Sequence, residues 1–156
     1  TLNPCTVSSD QVLNLQTSDR LWFKSNSTST NQGVFNIGAL GATHGEFQVI
    51  LTSVAKIKLR LSDANFDQTA TMPNPLGWNH LICTYTGSKG QIWLNNSNVK
   101  DVAWNTNLNL NNLKTVIGIY HNIVSNQAFD GKIDQTYIYK GVWTDAQRLQ
   151  LFNQQW

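Results

Sequence analysis

Val54-Ala55-Lys56-Ile57-Lys58-Leu59-Arg60-Leu61 decides the fold class. From residue 56 onward it alternates without a break, Ile57, Leu59 and Leu61 on one side and Lys56, Lys58 and Arg60 on the other. A period of two fits a β-strand with one apolar and one wet face, and a helix would scatter the same residues around its circumference. Similar short runs predict strands at residues 20–24, 34–37, 47–52, 79–85, 91–94, 115–119 and 132–139. The connections supply matching turn chemistry. Residues 38–45 hold three glycines, residues 72–77 hold two prolines, and Gly87-Ser88-Lys89-Gly90 joins two runs closely enough for a hairpin. The one helical signal lies near the end, where Thr144 can cap a helix with Gln147 reaching back, and Ala146, Leu149 and Phe152 recur at helical spacing.

A chain of 156 residues fits one domain, read here as residues 1–156, because about 150 residues leave little room for a second core. Apolar residues make up 40%, whereas charged residues are only 13%, against roughly 25% in most soluble domains. Asn, Gln, Ser and Thr take their place, in residues 25–32 and 105–112 above all, and these side chains suit loops over helices. A net charge of +2 is too small for a phosphate-tracking surface, which excludes nucleic acid. No run of about 18 apolar residues spans a bilayer, and residues 1–10 lack a signal-peptide layout. Beginning with Thr1, the chain reads as a processed product or a piece of something longer. Cys5 and Cys83 permit a single disulfide or two buried thiols, and both readings stay open.

From Trp78 to Trp156 the order of features resembles the laminin-G-like and pentraxin branch of the concanavalin A-like lectin/glucanase jelly rolls. Trp78-Asn79-His80 leads a strand ending in Thr84-Tyr85-Thr86-Gly87, and Gln91-Ile92-Trp93-Leu94-Asn95-Asn96 is similar to the family's next strand and its Asn-Gly turn, with Asn96 in the glycine's place. Val116-Ile117-Gly118, the signature Phe129-Asp130-Gly131-Lys132-Ile133-Asp134, the strand Tyr137-Ile138-Tyr139 and the closing helix from Trp143 follow in family order. Earlier on, Leu21-Trp22-Phe23-Lys24 and Gly33-Val34-Phe35-Asn36-Ile37-Gly38 resemble the opening strands more loosely. The resemblance implies an all-β sandwich of two antiparallel sheets with one short C-terminal helix. The pentraxin cysteine lies two residues after the strand histidine, but Cys83 lies three after His80, on the opposite strand face. The fold carries over; the pentraxin ligand does not.

Enzymatic readings find little support in the residues. Glycoside hydrolysis needs two carboxylates flanking the scissile bond, and Glu46 is the only glutamate, with no acid two or four residues away. Asp130 and Asp134 read as turn and strand-start residues. His44, His80 and His121 have no metal-ligand spacing, and no Gly-x-Ser-x-Gly elbow is present. Asp63, Asn65 and Asp67 offer three hard oxygens at alternating positions, and possible calcium binding rests on them, although the remainder of an EF-hand loop is missing.

Of the six tryptophans, two are candidates to stack on sugar. Trp93 points opposite to Ile92 and Leu94, and Trp104 stands among Asn105, Asn107 and Asn109. Packing under a neighbouring strand or loop is the alternative for each. Lys56, Lys58 and Arg60 form a cationic row suited to a sulfated or uronic polysaccharide, the alternative being a solvated edge strand protected against aggregation. These readings describe a non-catalytic recognition module, extracellular or on a virion surface, binding a glycan or polysaccharide. The alternative is a structural or adhesion domain of a virion, tail or cell-surface assembly, with a protein surface or a homo-oligomer as partner.

Overall fold

The computed structural model describes residues 5–8, 17–28, 31–38, 47–52, 54–61, 66–104, 114–119 and 128–154. Their alternating segments pair into two antiparallel sheets. One has six strands in the order β1 (Cys5–Ser8), β10 (Lys114–Ile117), β3 (Gln32–Gly38), β4 (Phe47–Leu51), β5 (Lys56–Leu61) and β6 (Phe66–Thr71). The other has five, β11 (Gly131–Lys140), β2 (Thr17–Ser25), β7 (Trp78–Tyr85), β8 (Lys89–Leu94) and β9 (Ser97–Ala103). A single helix, α1 (Asp145–Asn153), completes the described residues.

Register explains the core. Ile57, Leu59 and Leu61 stand opposite Leu51, Val49 and Phe47, and Phe35 and Ile37 continue the same face on β3. The second sheet answers with Leu21, Phe23, Leu81, Cys83, Tyr85, Ile92 and Leu94, all buried in one cluster. Burying each large apolar side chain contributes about 1.5–3 kcal/mol. Edge-on pairs of Phe35 with Phe47 and of Phe23 with Phe129 fix how the rings interlock.

Asn95 and Asn96 both take positive φ, at 49° and 65°, as a tight primed turn between β8 and β9 demands, so Asn96 does serve in the glycine's place. Gly131 in the Phe-x-Gly signature is a close-approach residue: a Cβ there would lie 2.1 Å from the Lys24 carbonyl oxygen. The carboxylate of Asp130 accepts from Asn26, and that of Asp134 accepts from the Gln135 amide, both structural roles.

Three strands had no counterpart among the expected runs: β1, β6 and β9. Each lies at a sheet edge, where pairing on one side asks for less apolar content, and β6 and β9 read Phe-Asp-Gln-Thr-Ala-Thr and Ser-Asn-Val-Lys-Asp-Val-Ala accordingly. Conversely, β5 is flanked by β4 and β6, so the edge-strand explanation of its cations does not hold. Cys83 is buried in the core, while the Cys5 side chain, and with it the question of a bridge, lies outside the described residues.

The helix forms as expected at its start. Thr144 and Gln147 make a reciprocal capping box. The packed face, however, is not the expected stripe: Ala146 and Leu149 are exposed, and Arg148 and Phe152 make the contacts with the sheet.

Candidate functional site

Each sheet has an outer face, and the two are finished differently. On the five-stranded sheet the outward residues include Arg20 and Trp22 of β2, His80, Ile82 and Thr84 of β7, Trp93 of β8, and Tyr137 and Tyr139 of β11; α1 lies over Arg20, Trp22, His80 and Trp93, while the two tyrosines stay exposed. Phe152 stacks on Trp22 with ring centroids 5.9 Å apart and lies 5.5 Å from the His80 ring. The Arg148 guanidinium sits 3.7 Å from the centre of the Trp93 ring, and its Nη1 donates to the Trp143 carbonyl at 2.6 Å.

Arg20 ties this layer together. Nε donates to His80 Nε2 at 3.0 Å, Nη1 to the Gln135 carbonyl at 3.4 Å and Nη2 to the Leu151 carbonyl at 2.7 Å, so one buried side chain joins β2, β7, β11 and α1. The Gln135 carbonyl is aimed by a bulge between β2 and β11, where Gln135 takes φ 47°. Burial, reinforced by the adjacent Arg20 charge, holds His80 down from its ordinary value of 6.5 to about 3. Accepting at Nε2 fits a neutral imidazole. Burial also lowers Arg20, against the raising influence of Tyr137 and Asp134.

The six-stranded sheet carries a straight row of outward residues. Val116, Asn36, Gln48, Arg60 and Asp67 stand directly opposite one another in successive strands β10, β3, β4, β5 and β6. Exposure rises along it, from 2% at Asn36 and 0% at Gln48 to side-chain values of 14% at Arg60 and 31% at Asp67. The Asp67 carboxylate accepts from Arg60 Nη2 at 3.0 Å and from Lys58 Nζ at 3.1 Å. Deeper in, Gln48 Oε1 and Nε2 and Asn36 Oδ1 are buried with no hydrogen-bond partner.

The candidates from the sequence are thus distributed unevenly. Lys56, Lys58, Arg60 and Asp67 share this outer face, with Lys56 opposite Thr71. Asp63 and Asn65 lie outside the described residues, as do Glu46, His44 and His121. Of the trio Asp63, Asn65 and Asp67, only Asp67 is described, and its carboxylate pairs with Lys58 and Arg60. Trp93 points away from the core as its parity requires, but it is half-buried, its indole nitrogen is enclosed without a partner and Arg148 occupies a ring face. Trp104 packs against the core, edge-on to Tyr85 at 5.2 Å. Asn36 and Gln48 were not singled out in the sequence. Their alternation with Phe35, Ile37, Phe47 and Val49 was the available signal.

Two stacked antiparallel sheets, one outer face partly covered by a helix and the other set with polar side chains, define a lectin-like jelly roll. The chain belongs to the concanavalin A-like lectin/glucanases superfamily, whose laminin-G type model matches residues 4–147. Solved structures show the same fold at low identity. A heptameric pentraxin from Limulus polyphemus superposes with a TM-score of 0.72 at 13% identity, over 93% of this chain and 73% of that one. The CBM40 domain of a Ruminococcus gnavus sialidase, bound to α2,3-sialyllactose, gives 0.71 at 13% identity over 97% of both chains. Domain 4 of a Geobacillus stearothermophilus extracellular arabinanase, in complex with arabinotriose, gives 0.70 at 19%, over 95% and 71%. No curated protein sequence matches significantly.

Proposed function

We propose that this chain is a non-catalytic carbohydrate-binding module of the extracellular space that grips a glycan on the outer face of its six-stranded sheet. The observation that carries the reading is the row Asn36, Gln48, Arg60 and Asp67, in which amide, guanidinium and carboxylate groups stand side by side across four strands. Such planar groups match sugar hydroxyls, which both donate and accept. On the opposite face α1 covers Trp22, His80 and Trp93. Fold neighbours that are carbohydrate-binding domains, one from an extracellular arabinanase, support the same reading. The row holds one carboxylate, Asp67, whereas glycoside hydrolysis calls for two flanking the bond. In this reading Trp93 and Trp104 serve packing, and Lys56, Lys58 and Arg60 border the bound sugar.

The test is a glycan array probed with the wild type and with Arg60→Ala and Asp67→Ala. Binding by the wild type that drops at least tenfold in both variants is expected, while Trp93→Ala should cost stability more than affinity. Array binding untouched by both row variants, or no binding at all, would remove the reading.

A further inference from the structure

Gln48 is an expensive residue where it stands. Its neighbours on β4, Phe47 and Val49, are apolar, and Val116 shows that the outer row itself accommodates a buried apolar side chain. A strand selected for stability alone would carry Leu or Val at position 48, since a buried polar atom without a partner loses its hydration and gains nothing. Three such atoms lie together here: Gln48 Oε1, Gln48 Nε2 and Asn36 Oδ1. Asn36 and Gln48 face each other directly across β3 and β4, yet their amides do not bond to one another.

We propose that Gln48 and Asn36 read two adjacent hydroxyls of a neutral sugar, while Arg60 and Asp67 hold the same ligand at the open end of the row. This rests on the glycan reading of the face and narrows it to a chemical class. Two of the three unpartnered atoms are acceptors and one is a donor. A vicinal diol fits that set: one hydroxyl donates to an amide oxygen while its neighbour accepts from Nε2. A carboxylate or sulfate can only accept, so it would leave Gln48 Oε1 and Asn36 Oδ1 unmet and would face the Asp67 carboxylate as well. The cations do not reverse this, because Asp67 already engages Lys58 and Arg60. Gln48 is fully buried and stands directly across from Arg60, so binding requires that Arg60 move with its Asp67 partner when a ligand enters.

The experiment measures affinity by calorimetry for arabinan, galactan and mannan, each native and after periodate cleavage of its diols with borohydride reduction, and for polygalacturonate. A native neutral polymer is expected to bind, with its cleaved form at least tenfold weaker. Gln48→Leu is expected to lose at least tenfold in affinity and to raise Tm, a pairing that a merely structural glutamine would not produce. Asn36→Val should shift both quantities the same way from a different strand, so the inference remains testable if one variant fails to fold. Equal binding to the cleaved polymer, preference for polygalacturonate, or undiminished binding by Gln48→Leu overturns the diol assignment and leaves the glycan reading standing. Binding to none of the four polymers removes the glycan reading itself.

Discussion

Acidification should loosen this protein through one residue, His80. The imidazole is 1% exposed, lies against Trp22 and Phe152 and accepts from Arg20 at 3.0 Å, an arrangement that requires it neutral. Folding therefore lowers its pKa to about 3 from the ordinary 6.5. Between those values the unfolded chain binds a proton that the native chain refuses, so stability is full above about pH 6.5 and falls as pH drops toward 3. Linkage with these two values gives a loss of about 2 kcal/mol between pH 7 and pH 5, and about 3 kcal/mol by pH 4. Urea unfolding of the wild type and of His80→Gln, at several pH values, isolates the contribution. Glutamine keeps an acceptor for Arg20 and does not titrate, so its stability should change with pH by that much less. The same pH slope in both proteins would refute the reasoning.

Three other outcomes are expected. Gly131→Ala should destabilise by more than about 2 kcal/mol in denaturant unfolding, because its Cβ would meet the Lys24 carbonyl oxygen at 2.1 Å and the backbone must yield. Phe152→Ala should cost about 2 kcal/mol by removing the half-buried ring from Trp22 and His80, with glycan affinity unchanged on the far sheet. Thermal melts in calcium and in chelator should coincide, since Asp67 is engaged by two cations; a calcium-dependent rise in Tm abolished by Asp67→Asn would instead place the ion at Asp63, Asn65 and Asp67.

Strand positions were largely legible because period-two alternation reports directly on a two-faced sheet, as β5 shows in its strict pattern of buried Ile57, Leu59 and Leu61. The capping box at Thr144 was equally plain, being a local hydrogen-bond pattern of two side chains. What alternation does not disclose is the fate of the outer face. Trp93 obeys its parity, yet only the packing of α1 puts Arg148 across its ring, and that contact joins residues distant along the chain. The helix misled for a similar reason: its sheet-facing side uses Arg148, an amphipathic residue that an apolar stripe passes over. Asn36 and Gln48 gain their interest from register, which sets β3, β4, β5 and β6 side by side, and from burial, neither of which a single strand reveals.

The polar row has one more property. Its four amide and charged members, Asn36, Gln48, Arg60 and Asp67, come from consecutive, mutually paired strands within residues 32–71, while the scaffold opposite draws on distant segments such as β2 and β11. The proposed recognition row is therefore carried by one contiguous stretch of chain. Transplanting that stretch between sandwiches of this architecture, with the apolar alternation preserved beneath it, is a route to carrying ligand preference from one framework to another.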